Sequence, residues 1–311
     1  MAIAVETNRY MYESVLLATD GSETSEGACV HGLWLSHRLG ATAHIVSVVD
    51  TGLRDRLPVG AGTLRAQRSA SHKAIDRLVS VAEEIGVKTV ETALDGPPGE
   101  QLLEYADDVS IDCLVLGSRG RGALIQYVLG SVALQLIRET TSPVITRSGP
   151  PLELTPQSVR SIDYETILVA TDGSESAQAG VRTAAALAEK LDATVHALYV
   201  INELAYTTHP PPNRSWKTYR RRLEREGRTV LDHAQSIADT HGVVLTETMK
   251  VGIPEAEIES HTREIDADCL VMGTRGLSGL KRGAIGSVVA RTIRSVAVPV
   301  LTVSEEIESS P

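Results

Sequence analysis

The sequence predicts two α/β domains in tandem, each built on a doubly wound parallel sheet. Three observations lead there. The hexapeptide ATDGSE occurs twice, at Ala18–Glu23 and Ala170–Glu175, 152 positions apart, and its surroundings repeat as well. Short, continuous apolar runs alternate along the chain with longer amphipathic stretches, the pattern of strands covered on both faces by helices. Glycine and aspartate stand at the ends of equivalent apolar runs in both halves, where a parallel α/β sheet turns into its loops.

The repeat is long. LGATAHIVSVVD (Leu39–Asp50) matches LDATVHALYVIN (Leu191–Asn202) at the same offset, and DCLVLGSRG (Asp112–Gly120) matches DCLVMGTRG (Asp268–Gly276) at 156. The second half therefore carries four extra residues, net, between its second strand and its Gly-Pro turn. Units of roughly 150 residues exceed any solenoid repeat, so each is expected to own a core. Two domains follow, residues 1–149 and 164–311, joined by a linker over 150–163. The interval Ser148–Tyr164 holds three prolines and no apolar period.

The elements follow in order. SVLLAT is a first strand, and the stretch after DGSETS is a helix to Leu39 with Ser22 or Ser25 as its N-cap. TAHIVSVV is a second strand. A long helix runs near Ala66–Ile85, and KTVETAL is a third strand. GPPGEQLLEYADDV opens a helix at prolines, where a missing N–H costs least. DCLVLG is the fourth strand, followed by a glycine loop, the short helix SVALQLIRET and the last strand PVIT. The second half repeats this order and ends on PVLTV.

Composition narrows the classes. Of 311 residues, 42% are hydrophobic and 23% charged, enough for two cores and a solvated surface. With no Phe and 3% aromatics, those cores are built from Val, Ile, Leu and Ala. A net charge of −10 argues against a general nucleic-acid binder, which needs a basic face to release counterions. No run of 18 apolar residues occurs and the first residues have no apolar signal core, so a cytoplasmic protein with no membrane contact is expected. Cys29, Cys113 and Cys269 lack CxxC spacing and are read as buried, reduced thiols.

The glycine loops have matched spacing. Gly117-Ser-Arg-Gly120 and Gly273-Thr-Arg-Gly276 are each followed by nine residues and then Gly-Ser, at Gly130-Ser131 and Gly286-Ser287. Backbone N–H groups approach an anion best where no Cβ intervenes, and a helix N-terminus adds to the attraction. Arg119, Arg121, Arg275, Lys281 and Arg282 add local positive charge. Asp20 and Asp172 close the first strand of each half. Such loops at the carboxyl ends of strands are where open α/β sheets bind ligands. The plain reading of DGS is a turn with a helix cap, and that of Gly-Ser is a helix start. The joint occurrence of both features in both halves favours a phosphate-bearing ligand.

G-x2-G-x9-G-[ST] after a strand, with Asp closing strand one, resembles the ATP-binding branch of the universal stress protein family over nearly the whole chain. The resemblance implies a five-stranded parallel sheet of order 3-2-1-4-5 in each half, Rossmann-like and similar to adenine nucleotide alpha hydrolases. It implies that Asp20 and Asp172 bind ribose hydroxyls and that Val48 and Val200 hold adenine through their backbone. Gly117, Gly120, Gly130 and Ser131, with Leu116 and Val132, would hold the ribose and phosphates. Gly273, Gly276, Gly286 and Ser287, with Met272 and Val288, would do so in the second half. ATP, with Mg2+, is the implied ligand, and the implied role is a nucleotide-dependent sensor or regulator in a stress response. The halves are expected to pair as an internal pseudo-dimer, with a homodimer and an unidentified protein partner open to it. The extra glycines Gly122, Gly279 and Gly283 depart from the pattern and bear on affinity.

The remaining motifs read as structure. His44 and His196 are equivalent strand residues expected to pack. RRRLEREGR (Arg220–Arg228) is a solvated helix face. HPPPN (His209–Asn213) is a stiff loop. No Walker A lysine, GxSxG, HExxH, HIGH or SGGxDS pattern occurs, so no catalytic residue is expected, although slow ATP turnover is compatible with a held nucleotide. A nucleotide-free interaction module of the same fold is the competing reading, and a true ATP hydrolase or nucleotidyl transferase is the next.

Overall fold

The computed structural model describes residues 12–51, 61–120, 129–203, 216–276 and 284–304. It divides into two compact units, Met1–Asp163 and Tyr164–Pro311.

In the first unit β1 (Ser14–Ala18), α1 (Glu23–Leu39), β2 (Thr42–Val49), α2 (Ala61–Ile85), β3 (Thr89–Asp95), α3 (Pro98–Val109), β4 (Cys113–Gly117), α4 (Ser131–Glu139) and β5 (Val144–Arg147) alternate along the chain. The sheet order is β3-β2-β1-β4-β5, with every described pair parallel. The order reverses at β1, whose neighbours are β2 and β4. α1 packs on α2, and α3 on α4, one pair for each face of the sheet. Double cover explains the composition: all five residues of β4 are buried, whereas none in the edge strand β3 is. Val15, Leu16, Leu17, Leu114 and Val115 have no exposed surface, and they join Ala28 and Leu33 of α1 in the core.

The repeated aspartate before β4 has a structural task that the sequence reading did not assign. Asp112 Oδ2 accepts from the Glu13 and Ser14 N–H groups, both at 2.9 Å, and from Ser14 Oγ at 2.8 Å. It fixes the start of β4 against β1. Asp268 does the same for Glu165 and Thr166 in the second unit.

The second unit follows with β6 (Thr166–Ala170), α6 (Glu175–Leu191), β7 (Thr194–Asn202), α7 (Trp216–Thr240), β8 (Leu245–Gly252), α8 (Pro254–Glu264), β9 (Cys269–Gly273), α9 (Ser287–Ser295) and β10 (Val300–Val303). Its strand order, β8-β7-β6-β9-β10, reproduces that of the first, again with parallel pairs. Two tandem doubly wound sheets are thus present.

Two details differ from expectation. The long helix of the first unit starts at Ala61, five residues before the start expected near Ala66. The proline-containing interval also carries a short helix, α5 (Pro156–Arg160), capped by the Thr155 hydroxyl. Leu154 and Val159 are buried, and α5 packs on α1 and α2. This interval is therefore part of the first unit's core; five helical residues are too few to display an apolar period.

The three cysteines are free and buried, and burial pushes the Cys269 thiol up to about 12. His44 is buried with Nδ1 2.9 Å from the Tyr105 hydroxyl, a packing arrangement. The basic run on α7 pairs along its own helix, Arg220 with Glu224 at 2.8 Å and Arg222 with Glu226 at 2.6 Å. HPPPN, Arg121, Lys281, Arg282, Gly122, Gly279 and Gly283 lie outside the described residues. Among the described helices none is long and apolar enough to cross a membrane.

Candidate nucleotide site

The ATDGSE motif resolves into a turn that feeds a helix. Asp20 Oδ1 accepts from the Ser22 N–H at 2.9 Å and from Ser22 Oγ at 2.6 Å. Gly21 takes φ 71°, a left-handed conformation that a Cβ disfavours. Ser22 caps α1, its side chain accepting from the Ser25 N–H. In the second unit Asp172 Oδ1 accepts from Ser174 N at 3.0 Å, Gly173 has φ 83°, and Ser174 caps α6. The turn fixes the aspartate through its Oδ1. The other oxygen points across the sheet: a Cβ on Gly120 would lie 2.8 Å from Asp20 Oδ2, and one on Gly276 would lie 2.6 Å from Asp172 Oδ2. The residue that closes strand one thus meets the second glycine of the loop after strand four in each unit.

The first unit holds a cavity of about 720 Å³ at this end of its sheet, a size typical of small-molecule sites. Its lining includes Asp20, Val48, Leu116, Gly117, Gly120, Gly130, Ser131 and Val132. These are all the candidate residues of the first half, drawn from the ends of three strands and the start of α4. Arg119, a cationic residue, lines the same wall. Ser131, Val132 and Ala133 form the first turn of α4, whose N–H groups have no intrahelical acceptor. No side chain caps that end, because its N-cap is Gly130. The cavity therefore combines a fixed carboxylate, backbone donors at a positive helix end and one cation. Such a set suits a ligand with hydroxyls at one end and anionic oxygens at the other.

The glycines divide their tasks differently from the sequence reading. A Cβ on Gly117 would meet the Ser25 N and Thr24 C backbone atoms of α1 at 2.9 Å, and one on Gly273 the Ala177 N of α6 at 2.5 Å. These two glycines let the helix approach the strand end, whatever occupies the cavity. Gly130 N–H is donated to Ser118 O at 2.8 Å, and Gly286 N–H to Thr274 O at 2.9 Å. Their N–H groups hold the two parts of the loop together, and the donors turned to the cavity belong to the turn that follows.

The sequence reading missed the contribution of α2. Gln67 and Ser71 line the cavity from that helix, and Thr19, Pro98 and Leu102 complete its wall. Only the i, i+4 spacing of two polar residues on a mostly apolar helix face hinted at this.

In the second unit Asp172, Gly273, Gly276 and Gly286 are brought together by the equivalent turn and loop. Met272 stands at the equivalent end of β9, Ser287 and Val288 open α9, and Val200 lies near the end of β7. One link is specific to this unit. Ser176 Oγ donates to Arg275 O at 2.6 Å and Ser174 Oγ to the same carbonyl at 3.2 Å. The loop is tied to the start of α6 in a way that Thr24, the residue equivalent to Ser176, does not reproduce.

Fold and loop geometry define a class: a tandem, doubly wound α/β protein with its glycine loops at the switch of strand order. The model of the universal stress protein family matches residues 11–146 and 163–304. The chain belongs to the universal stress protein family. Among its relatives, universal stress protein MJ0531 of Methanocaldococcus jannaschii is 34% identical over 142 residues, 46% of this chain and 83% of the relative. Universal stress protein Slr1230 of Synechocystis is 23% identical over 315 residues, covering 93% of this chain and 99% of the relative. The crystal structure of a universal stress protein from Archaeoglobus fulgidus shares the fold. Its TM-score is 0.69 at 20% identity, over 97% of this chain and 100% of that one.

Proposed function

We propose that the chain binds ATP and acts as a cytoplasmic, nucleotide-dependent regulator in a stress response. The observation that carries this reading is convergence. Eight residues picked from separate motifs, Asp20 to Val132, line one cavity of suitable volume. In this reading Asp20 Oδ2 accepts from the ribose hydroxyls, with its Oδ1 already fixed by Ser22. The Val48 backbone meets the adenine. Gly120, Ser131 and Val132 face the phosphates, and Arg119 offsets their charge. The nucleotide supplies a transferable charge and shape signal when bound, and Mg2+ would enter on its phosphates, as is usual for that ion. The described residues hold no cluster of three or more metal-ligating side chains. The same roles fall to Asp172, Val200, Gly276, Ser287 and Val288 in the second unit. No catalytic residue is assigned, and the output is a change in shape or partner contact that depends on occupancy.

The test is mass spectrometry of the nucleotide released from purified, denatured protein, paired with ATP affinity of the native chain. ATP should be released, and Asp20→Ala should weaken binding by roughly ten- to a hundredfold, since hydrogen bonds to a charged acceptor contribute about 1.5–3 kcal/mol. Full affinity in Asp20→Ala would leave that aspartate as a turn former alone.

A further inference from the structure

The cavity contains two polar atoms that the fold itself leaves without a partner. Gln67 Oε1 and Ser71 Oγ are both buried and make no hydrogen bond. Ser71 as a whole is 6% exposed. The two residues lie one helical turn apart on α2, on the face that lines the cavity opposite Ser47 and Val48 of β2. Buried polar groups are almost always satisfied, because burial without a partner forfeits their hydration. Two orphans facing one cavity therefore point to a group that the ligand brings.

The second unit sharpens the point. By the repeat offset, Gln67 corresponds to Leu223 and Ser71 to Gly227, while Ser47 corresponds to Tyr199 and Ala93 to Met249. Tyr199 is buried, and its ring atoms Cδ1 and Cε1 would lie 2.7 and 2.8 Å from a Cβ on Gly227. The ring packs flush on the α7 backbone, which only glycine permits, with Met249 Cε beside it. Space that the first unit lines with two serines is filled in the second by an aromatic ring, and the positions equivalent to Gln67 and Ser71 carry Leu223 and Gly227.

We propose that Gln67 and Ser71 are ligand-contacting, specificity-determining residues of the first unit, reading the hydrogen-bonding edge of the nucleotide base. This rests on the nucleotide reading above and names the part of the ligand those groups meet. Gln67 Oε1 is an acceptor and calls for a donor, which the exocyclic amine of adenine provides; Ser71 Oγ can donate to a ring nitrogen. A base with a carbonyl in place of the amine leaves Oε1 unsatisfied. The first unit is accordingly the selective site, and the second lacks this discrimination.

The experiment is calorimetric titration of the full chain with ATP and with ITP, which carries the carbonyl. The wild type is compared with Gln67→Leu, the residue of the second unit, and with Ser71→Ala. Each variant should lose about three- to tenfold in ATP affinity at the tighter site, and Gln67→Leu should narrow the preference for ATP over ITP. The melting temperature of the nucleotide-free variants should hold or rise, because each removes an unsatisfied buried group. A purely structural role would lower it. ATP affinity and ATP/ITP preference within twofold of wild type in both variants would overturn the proposal while leaving ATP binding intact. A wild type that binds neither nucleotide would overturn the nucleotide reading itself, and this proposal with it.

Discussion

Single residues set how this fold responds to pH and how its turns close. His31 sits on α1 in the first core, where burial and then the Arg147 guanidinium push its pKa down to about 3. The unfolded chain protonates this ring near pH 6.5 and the folded chain does not, so the unfolded state binds more protons between those values. Stability contributed here is present above the unfolded pKa and falls as pH drops below it. His31 alone should lower stability by about 2 kcal/mol between pH 7 and pH 5. His44 and His196 shift the same way through burial. Urea unfolding of wild type and His31→Gln at both pH values checks this: the variant should lose less stability on acidification, and an identical pH dependence would contradict the assignment. At this scale the sequence was legible where chemistry is local. Asp-Gly-Ser announces an aspartate-closed turn, a left-handed glycine and a cap within three residues. Gln67, Ser71 and Asp112 were not legible as partners of anything, because what they face is distant in the chain, up to 99 positions for Asp112, and only the fold supplies it.

At the scale of elements, the loop after the fourth strand works in two parts. Its first glycine lets a helix start lie against the strand end; its last glycine caps the following helix. The two should respond differently to a methyl group. A Cβ at Gly273 would press on the α6 backbone at 2.5 Å, whereas one at Gly286 would lie 3.5 Å from Thr274 O and 3.6 Å from Val289 Cγ2, ordinary contacts, at an unstrained φ of −62°. Gly273→Ala should therefore lower the melting temperature of the nucleotide-free chain, by the equivalent of about 1–3 kcal/mol. Gly286→Ala should leave it nearly unchanged. If Gly286 exists to admit phosphates, the same variant should still weaken ATP binding. Destabilised protein with undiminished affinity per folded molecule would show that this glycine serves the backbone only. Strand runs, the two layers of helices and their order were readable from apolar periodicity. The short α5 was not, since Leu154 and Val159 alone cannot establish a period, and its place is set by packing on α1 and α2.

The whole molecule is a duplication whose copies have kept their frame and altered one wall. Both units retain the aspartate turn, the paired glycines and the Gly-Ser helix start, and both wind their strands in the same order. They part at the wall between the second strand and the long helix, where Ser47 and Ser71 both line the cavity in one unit and Tyr199 rests on Gly227 in the other. Under the proposed function, frame residues would define where a nucleotide sits and wall residues would grade how tightly and how selectively it is held. The central claim is that the repeated frame builds a nucleotide site in each unit. Calorimetric titration of the full chain with ATP tests it most directly. Saturation is expected at two ATP molecules per chain, with two unequal affinities. Saturation at one, or no saturable binding, would contradict it.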